Sequence, residues 1–98
     1  MIPYGRQDIN QDDIDSLVEV LKSDFLTQGP KIPEFEKKLS EVTSCSHSVA
    51  VTSATAGLHL ACLALGLKKN DYLWTSPISF VASANCARYC GANVDFVD

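Results

Sequence analysis

The chain has 98 residues, 46% of them hydrophobic and 20% charged, with a formal net charge of −4 at pH 7. Those proportions suit a small globular domain rather than a disordered segment, and the acidic balance offers no basic face for nucleic acid or an anionic membrane. No apolar run approaches the ~18 residues of a membrane helix, and the N-terminus lacks the charged lead, apolar core and cleavage site of an export signal. A cytoplasmic protein with small-molecule or protein partners is expected.

Residues 1–10 are polar, carry Pro3 and Gly5, and read as an extended arm. Asn10 can cap a helix, with Asp12 and Asp13 at its positive end, Lys22 in its last turn, and Ile14, Leu17, Val18 and Leu21 as one apolar stripe. Residues 24–31 must form a loop, because Gly29-Pro30 cannot continue a helix. A second helix is expected to start near Pro33, a residue suited to a first helical position, with Ile32, Phe35, Leu39 and Val42 inward and Glu36 among the outward charges. The two helices occupy residues 11–43.

Residues 47–98 change character. Ser48-Val-Ala-Val-Thr52 reads as a short strand covered on both faces, followed by a helix from about Thr55 to Gly66 with Leu58, Ala61, Cys62 and Leu65 on one stripe. Tyr72–Thr75 is a second strand, in which Trp74 is expected to be core. A helix from Phe80 to about Cys90, stopped by Gly91, leads to a third strand over residues 93–97. The order is the βαβαβ of a mostly parallel α/β sheet. The last helix is small and apolar nearly all round, so it is expected to be sandwiched. With no cover for the sheet following Asp98, the chain is expected to be a fragment, or one domain of something larger.

Cys45, Cys62, Cys86 and Cys90 contain no C-x-x-C pair, and His47 and His59 complete no ligand set, so reduced thiols and no metal are expected. Lys68 and Lys69 fall in a polar loop before the second strand and read as solvated.

Ligands of open α/β sheets gather beyond the C-terminal strand ends. Two strand-to-helix junctions lie there, Thr52-Ser-Ala-Thr-Ala-Gly57 and Thr75-Ser-Pro-Ile-Ser-Phe80. The first joins small residues, hydroxyls and a helix N-terminus, a combination that favours a phosphate. It has neither a Walker A ending nor G-x-G-x-x-G, which weakens nucleoside-triphosphate and dinucleotide readings. Phe80 could lie beside a planar ligand. A merely hydroxyl-capped helix and a core-packed Phe80 stand as the plainer alternatives, and the strand-end acids Asp95 and Asp98 receive no role.

The run 51–60, Val-Thr-Ser-Ala-Thr-Ala-Gly-Leu-His-Leu, resembles the phosphate turn of the DegT/DnrJ/EryC1/StrS sugar aminotransferases. Residues 25–31, 74–85 and 91–98 match the same family in order, so the likeness spans essentially the whole chain. Residues 74–85 and Pro3-Tyr4-Gly5 look closest to the pseudaminic-acid branch. The resemblance implies the aspartate-aminotransferase-like (type I) fold, pyridoxal 5'-phosphate (PLP), and amino transfer to C4 of a UDP-linked 4-keto-6-deoxy-N-acetylhexosamine with glutamate as donor. It implies that Thr55 and Ala56 meet the cofactor phosphate, Thr55 through its hydroxyl and both through backbone N–H, while Ser53 and Ala54 shape the turn. Phe80 would stack on the pyridine ring, Asn85 would stand on the following helix, and Tyr4, Thr27, Gln28 and Gly29 would lie near the sugar nucleotide. The family's catalytic lysine, and the acid that tunes the ring nitrogen, fall beyond residue 98, so the chain alone is expected to be inactive. The resemblance further implies a homodimer whose sites are completed across the interface.

Three other readings compete. A sugar dehydratase on the same scaffold differs at the lysine position, a Rossmann-type oxidoreductase would need the missing glycine fingerprint, and a truncated copy could serve as a non-catalytic interaction module.

Overall fold

The computed structural model describes residues 2–97, so Asp98, one of the two strand-end acids, lies outside the described residues. The chain divides into two compact units, Met1–Ala50 and Val51–Asp98.

In the first unit, helix α1 spans Gln11–Leu21 and helix α2 spans Lys31–Thr43. Asn10 caps α1 as its residue type predicts: its Oδ1 accepts the Asp12 N–H at 2.8 Å and the Asp13 N–H at 3.2 Å. The Asp13 carboxylate returns the favour by accepting the Asn10 N–H at 3.0 Å, closing a reciprocal cap. Helix α2 begins two residues before Pro33, with Pro30 as its N-cap. The reason is that all first-turn amides lack an intrahelical acceptor, so proline's missing N–H costs as little at the third helical position as at the first. Both helices are amphipathic, but neither contains a buried residue.

The expected strand at 48–52 is not formed: the first regular element after α2 is helix α3, Ala54–Ala64. A strand exists only through a ladder partner, and here the Ala50 N–H donates instead to Glu36 Oε1 at 2.8 Å. Glu36 therefore turns back onto the chain rather than outward.

The second unit contains α3, strand β1 (Tyr72–Thr75), helix α4 (Ala82–Tyr89) and strand β2 (Asn93–Phe96). The strands pair in parallel, Tyr72 opposite Asn93 and Thr75 opposite Phe96, so β1-α4-β2 is one βαβ crossover. Helix α4 packs against α3 and both strands. Its sandwiched position matches its composition: Ala82, Cys86 and Ala87 are buried, with Cys62 of α3 and Ala92 completing a core of small side chains. Gly91 takes φ +76°, the left-handed turn that ends α4.

Two side chains depart from expectation. Trp74 is 64% exposed and Leu65 is exposed as well. Along β1 the residues alternate, Tyr72 and Trp74 open, Leu73 and Thr75 part-buried. Helix α4 covers one face of this two-stranded sheet, and among the described residues nothing covers the other.

Candidate functional site

The turn entering α3 is built around Ser53. Its backbone is extended, with φ −164° and ψ 160°, so its side chain hangs over the helix end. Ser53 Oγ accepts the Ala56 N–H at 3.1 Å, and its carbonyl oxygen accepts the Gly57 N–H at 3.0 Å. Among the described residues the amides of Ala54 and Thr55 have no acceptor. Two free donors thus stand at the positive end of the α3 dipole, beside the Thr55 hydroxyl and with only methyl side chains at Ala54 and Ala56. That arrangement can hold an anion, and the residues present fit a cofactor phosphate.

The second junction forms a hollow of about 260 Å³, lined among others by Ser76, Ser79, Phe80, Ser83 and Phe96. Phe80 is 74% exposed. It is not a core residue, and its ring is available to a flat ligand. Phe96 was not singled out by sequence reasoning. Its signal is the parallel register, which sets it opposite Thr75 at the same strand end as this junction. Asn85 lies in α4, part-buried, and does not line the hollow.

In the first unit, Thr27, Gln28 and Gly29 line a cavity of about 690 Å³ between the end of α1 and the start of α2. Its walls include the apolar Phe25, Leu26 and Ile32, which sequence reading treated as loop and core. Gln28 sits at φ +54°, uncommon for a residue with a side chain. Gly29 meets the same turn tightly: a Cβ there would lie 2.9 Å from Phe25 Cβ. Tyr4 is fully exposed in the arm and is not part of this cavity.

The sequence pattern of the DegT/DnrJ/EryC1/StrS aminotransferase family matches residues 7–98. The chain belongs to this family. It is 47% identical over 98 residues to a UDP-4-amino-4,6-dideoxy-N-acetyl-beta-L-altrosamine transaminase of Campylobacter jejuni, covering 100% of this chain and 26% of that protein. A putative sugar aminotransferase from Streptococcus pneumoniae, solved in its PLP-form, superposes with a TM-score of 0.93 at 33% identity, over 99% of this chain and 25% of that one. The chain therefore spans about a quarter of the length of the relatives it matches. Its α/β architecture is that of the N-terminal part of the PLP-dependent aminotransferase fold. A GDP-4-keto-6-deoxymannose-3-dehydratase shares the fold, with a TM-score of 0.90 at 22% identity over 98% of this chain and 26% of that one.

Elsewhere in the chain, Lys68 and Lys69 are exposed in the loop before β1, where the Lys68 N–H donates to Asp71 Oδ2 at 2.9 Å. The four cysteines are free. Burial, with Cys86 and Cys90 alongside, pushes the Cys62 thiol up to about 11. Cys45 behaves oppositely. Hydrogen bonding to Ser48 and Thr43 lowers its thiol from 9.0 to about 7, with Thr43 Oγ1 at 3.1 Å and Ser48 Oγ at 3.3 Å from the sulfur.

Proposed function

We propose that this chain is the N-terminal, phosphate-binding part of a PLP-dependent aminotransferase. Its substrate would be a UDP-linked 4-keto-6-deoxy-N-acetylhexosamine, aminated at C4 with glutamate as donor. The observation that carries the reading is the pair of unengaged amides at Ala54 and Thr55, found in a chain similar over its whole length to a sugar-nucleotide transaminase.

Within that reading the start of α3 binds and orients the phosphate. Thr55 would meet the phosphate through its hydroxyl and N–H and Ala56 through its N–H, while Ser53 and Ala54 shape the turn. Phe80 would stack on the pyridine ring and limit water on that face, with Asn85 standing on the following helix. The cofactor, when bound, supplies an electron sink that lets an amino group leave one carbon skeleton and join another. Thr27, Gln28 and Gly29, with Tyr4 from the arm, contact the sugar nucleotide. The lysine that moves the proton belongs to the longer protein, which works as a cytoplasmic homodimer. In domain terms, residues 1–10 are an arm, 11–43 a helical pair and 47–98 the cofactor-phosphate region.

The test uses the full-length protein, incubated with PLP, desalted, and supplied with glutamate and the keto sugar nucleotide. Retained cofactor absorbance, 2-oxoglutarate release and an aminated sugar by mass spectrometry are expected. A protein that takes up no PLP sinks the proposal. A sugar that loses its C3 hydroxyl without gaining nitrogen replaces it with the dehydratase reading.

A further inference from the structure

We infer that the contact between α3 and α4 holds an oxidant-responsive thiol pair, in which Cys90 and Cys62 join as a reversible disulfide when a peroxide reaches the end of α4. The pairing does not depend on what binds at the start of α3.

Three of the four cysteines lie on these two helices. Cys62 belongs to α3, Cys86 to α4, and Cys90 is the C-cap of α4. The helices pack against each other, and the rings of His59 and Tyr89 meet edge to face across the contact, 5.3 Å between centroids. Residues three or four apart share one helix face. Cys62 therefore lies on the His59 face of α3, Cys86 lies on the Tyr89 face of α4, and Cys90 stands one turn beyond Cys86. Ala82, Ala87 and Ala92 fill the rest of this core. Such small side chains let two backbones come close, and a disulfide needs Cα atoms about 4.4–6.8 Å apart.

The three thiols differ in what they can do. Burial, with the Cys86 and Cys90 thiols alongside, keeps the Cys62 proton in place, and a protonated thiol does not open the attack on a peroxide. Cys86 is buried, and its Sγ donates to the Ser83 carbonyl oxygen at 3.3 Å. Cys90 is the most open of the three. It also sits at the helix end, where the backbone can adjust to the sulfur–sulfur bond. Oxidation thus starts at Cys90, whose thiolate takes one peroxide oxygen as the O–O bond breaks, giving a sulfenic acid and water. The Cys62 sulfur then attacks the Cys90 sulfur, the S–O bond breaks, and hydroxide leaves with the Cys62 proton as a second water. Two electrons pass from the thiol pair to the peroxide, and a dithiol reductant returns them by thiol–disulfide exchange.

The test treats the full-length protein with hydrogen peroxide, blocks free thiols with N-ethylmaleimide and digests without reductant. Trypsin cuts after Arg88 and so separates Cys86 from Cys90, while fragment ions distinguish Cys62 from Cys45. A peptide cross-linked through Cys62 and Cys90 is expected, lost on treatment with dithiothreitol. Cys90→Ser is expected to abolish it and Cys86→Ser to leave it. In Cys62→Ser the Cys90 sulfenic acid is expected to persist and to be labelled by dimedone. In the unmodified protein, a Cys62 that stays free, a link from Cys62 to Cys86 instead, or sulfinic acid at Cys90 with no disulfide overturns the inference. Because those outcomes are read without any substitution, a serine variant that fails to fold does not blunt the test.

Discussion

At the scale of single residues, chemistry in this chain follows from which polar neighbours each group meets. Cys45 and Cys62 carry the same side chain, yet hydroxyls hold one thiol down to about 7 while burial pushes the other up to about 11. Since the thiolate is the nucleophile, labelling of Cys45 by iodoacetamide is expected to rise as pH climbs through about 7, while Cys62 stays unmodified near neutrality. Peptide mass spectrometry after timed alkylation measures both. Equal labelling of the two at pH 7 would show that the hydroxyl cluster does not form. Thr55 gives the second residue-level prediction. Thr55 stands in the helix turn that carries the free amides, so Thr55→Ala should cost about 1–3 kcal/mol of cofactor retention, read from PLP titration, and unchanged retention removes it from the site. Glu36 illustrates what a residue pattern conceals. Its spacing on α2 marks it as an outward charge, but the Ala50 N–H needs an acceptor and finds this one.

At the scale of elements, boundaries and connections decide where functional groups stand. Helix α1 was legible from Asn10 and its apolar stripe, because capping and 3.6-residue periodicity are local properties. So were β1, the βαβ crossover and the left-handed stop at Gly91. The start of α2 was misplaced by two residues because a proline is equally acceptable anywhere in a first turn. The loop between α1 and α2 shows the tightest constraint, where Gly29 leaves 2.9 Å for any added Cβ against Phe25. Gly29→Ala must open that turn, and a loss of about 1–3 kcal/mol in urea unfolding of the full-length protein is expected, the usual cost of overpacking. A raised KM for the sugar nucleotide should accompany it if Thr27 and Gln28 contact that substrate. An alanine variant with wild-type stability and KM would mean that the turn has slack the structure does not show.

At the scale of the whole molecule, the informative feature is apolar surface left open. Tyr72 and Trp74 stand on the uncovered face of a two-stranded sheet, and the apolar stripes of both leading helices are exposed. Relatives matched over the whole of this chain are about four times as long, which supplies the material to cover such faces. Trp74 is the only tryptophan and reports on this directly. In the 98-residue chain its fluorescence should resemble that of a solvated indole, and in the full-length protein it should shift to the blue and resist acrylamide quenching. Identical spectra in the two would show that this sheet face stays open in the full-length protein.

Family membership and most of the α/β alternation were determined by residue order, because each rests on short-range pattern: small residues and hydroxyls before a helix, apolar runs of strand length, glycine at helix ends. Tertiary structure alone decided that residues 48–52 lack a ladder, that Trp74 and Phe80 are open rather than core, and that Ser53 takes the Ala56 amide. Those outcomes depend on which backbone donor or side-chain face finds a partner elsewhere in the chain, and such pairing is settled in space, where sequence spacing carries no record of it.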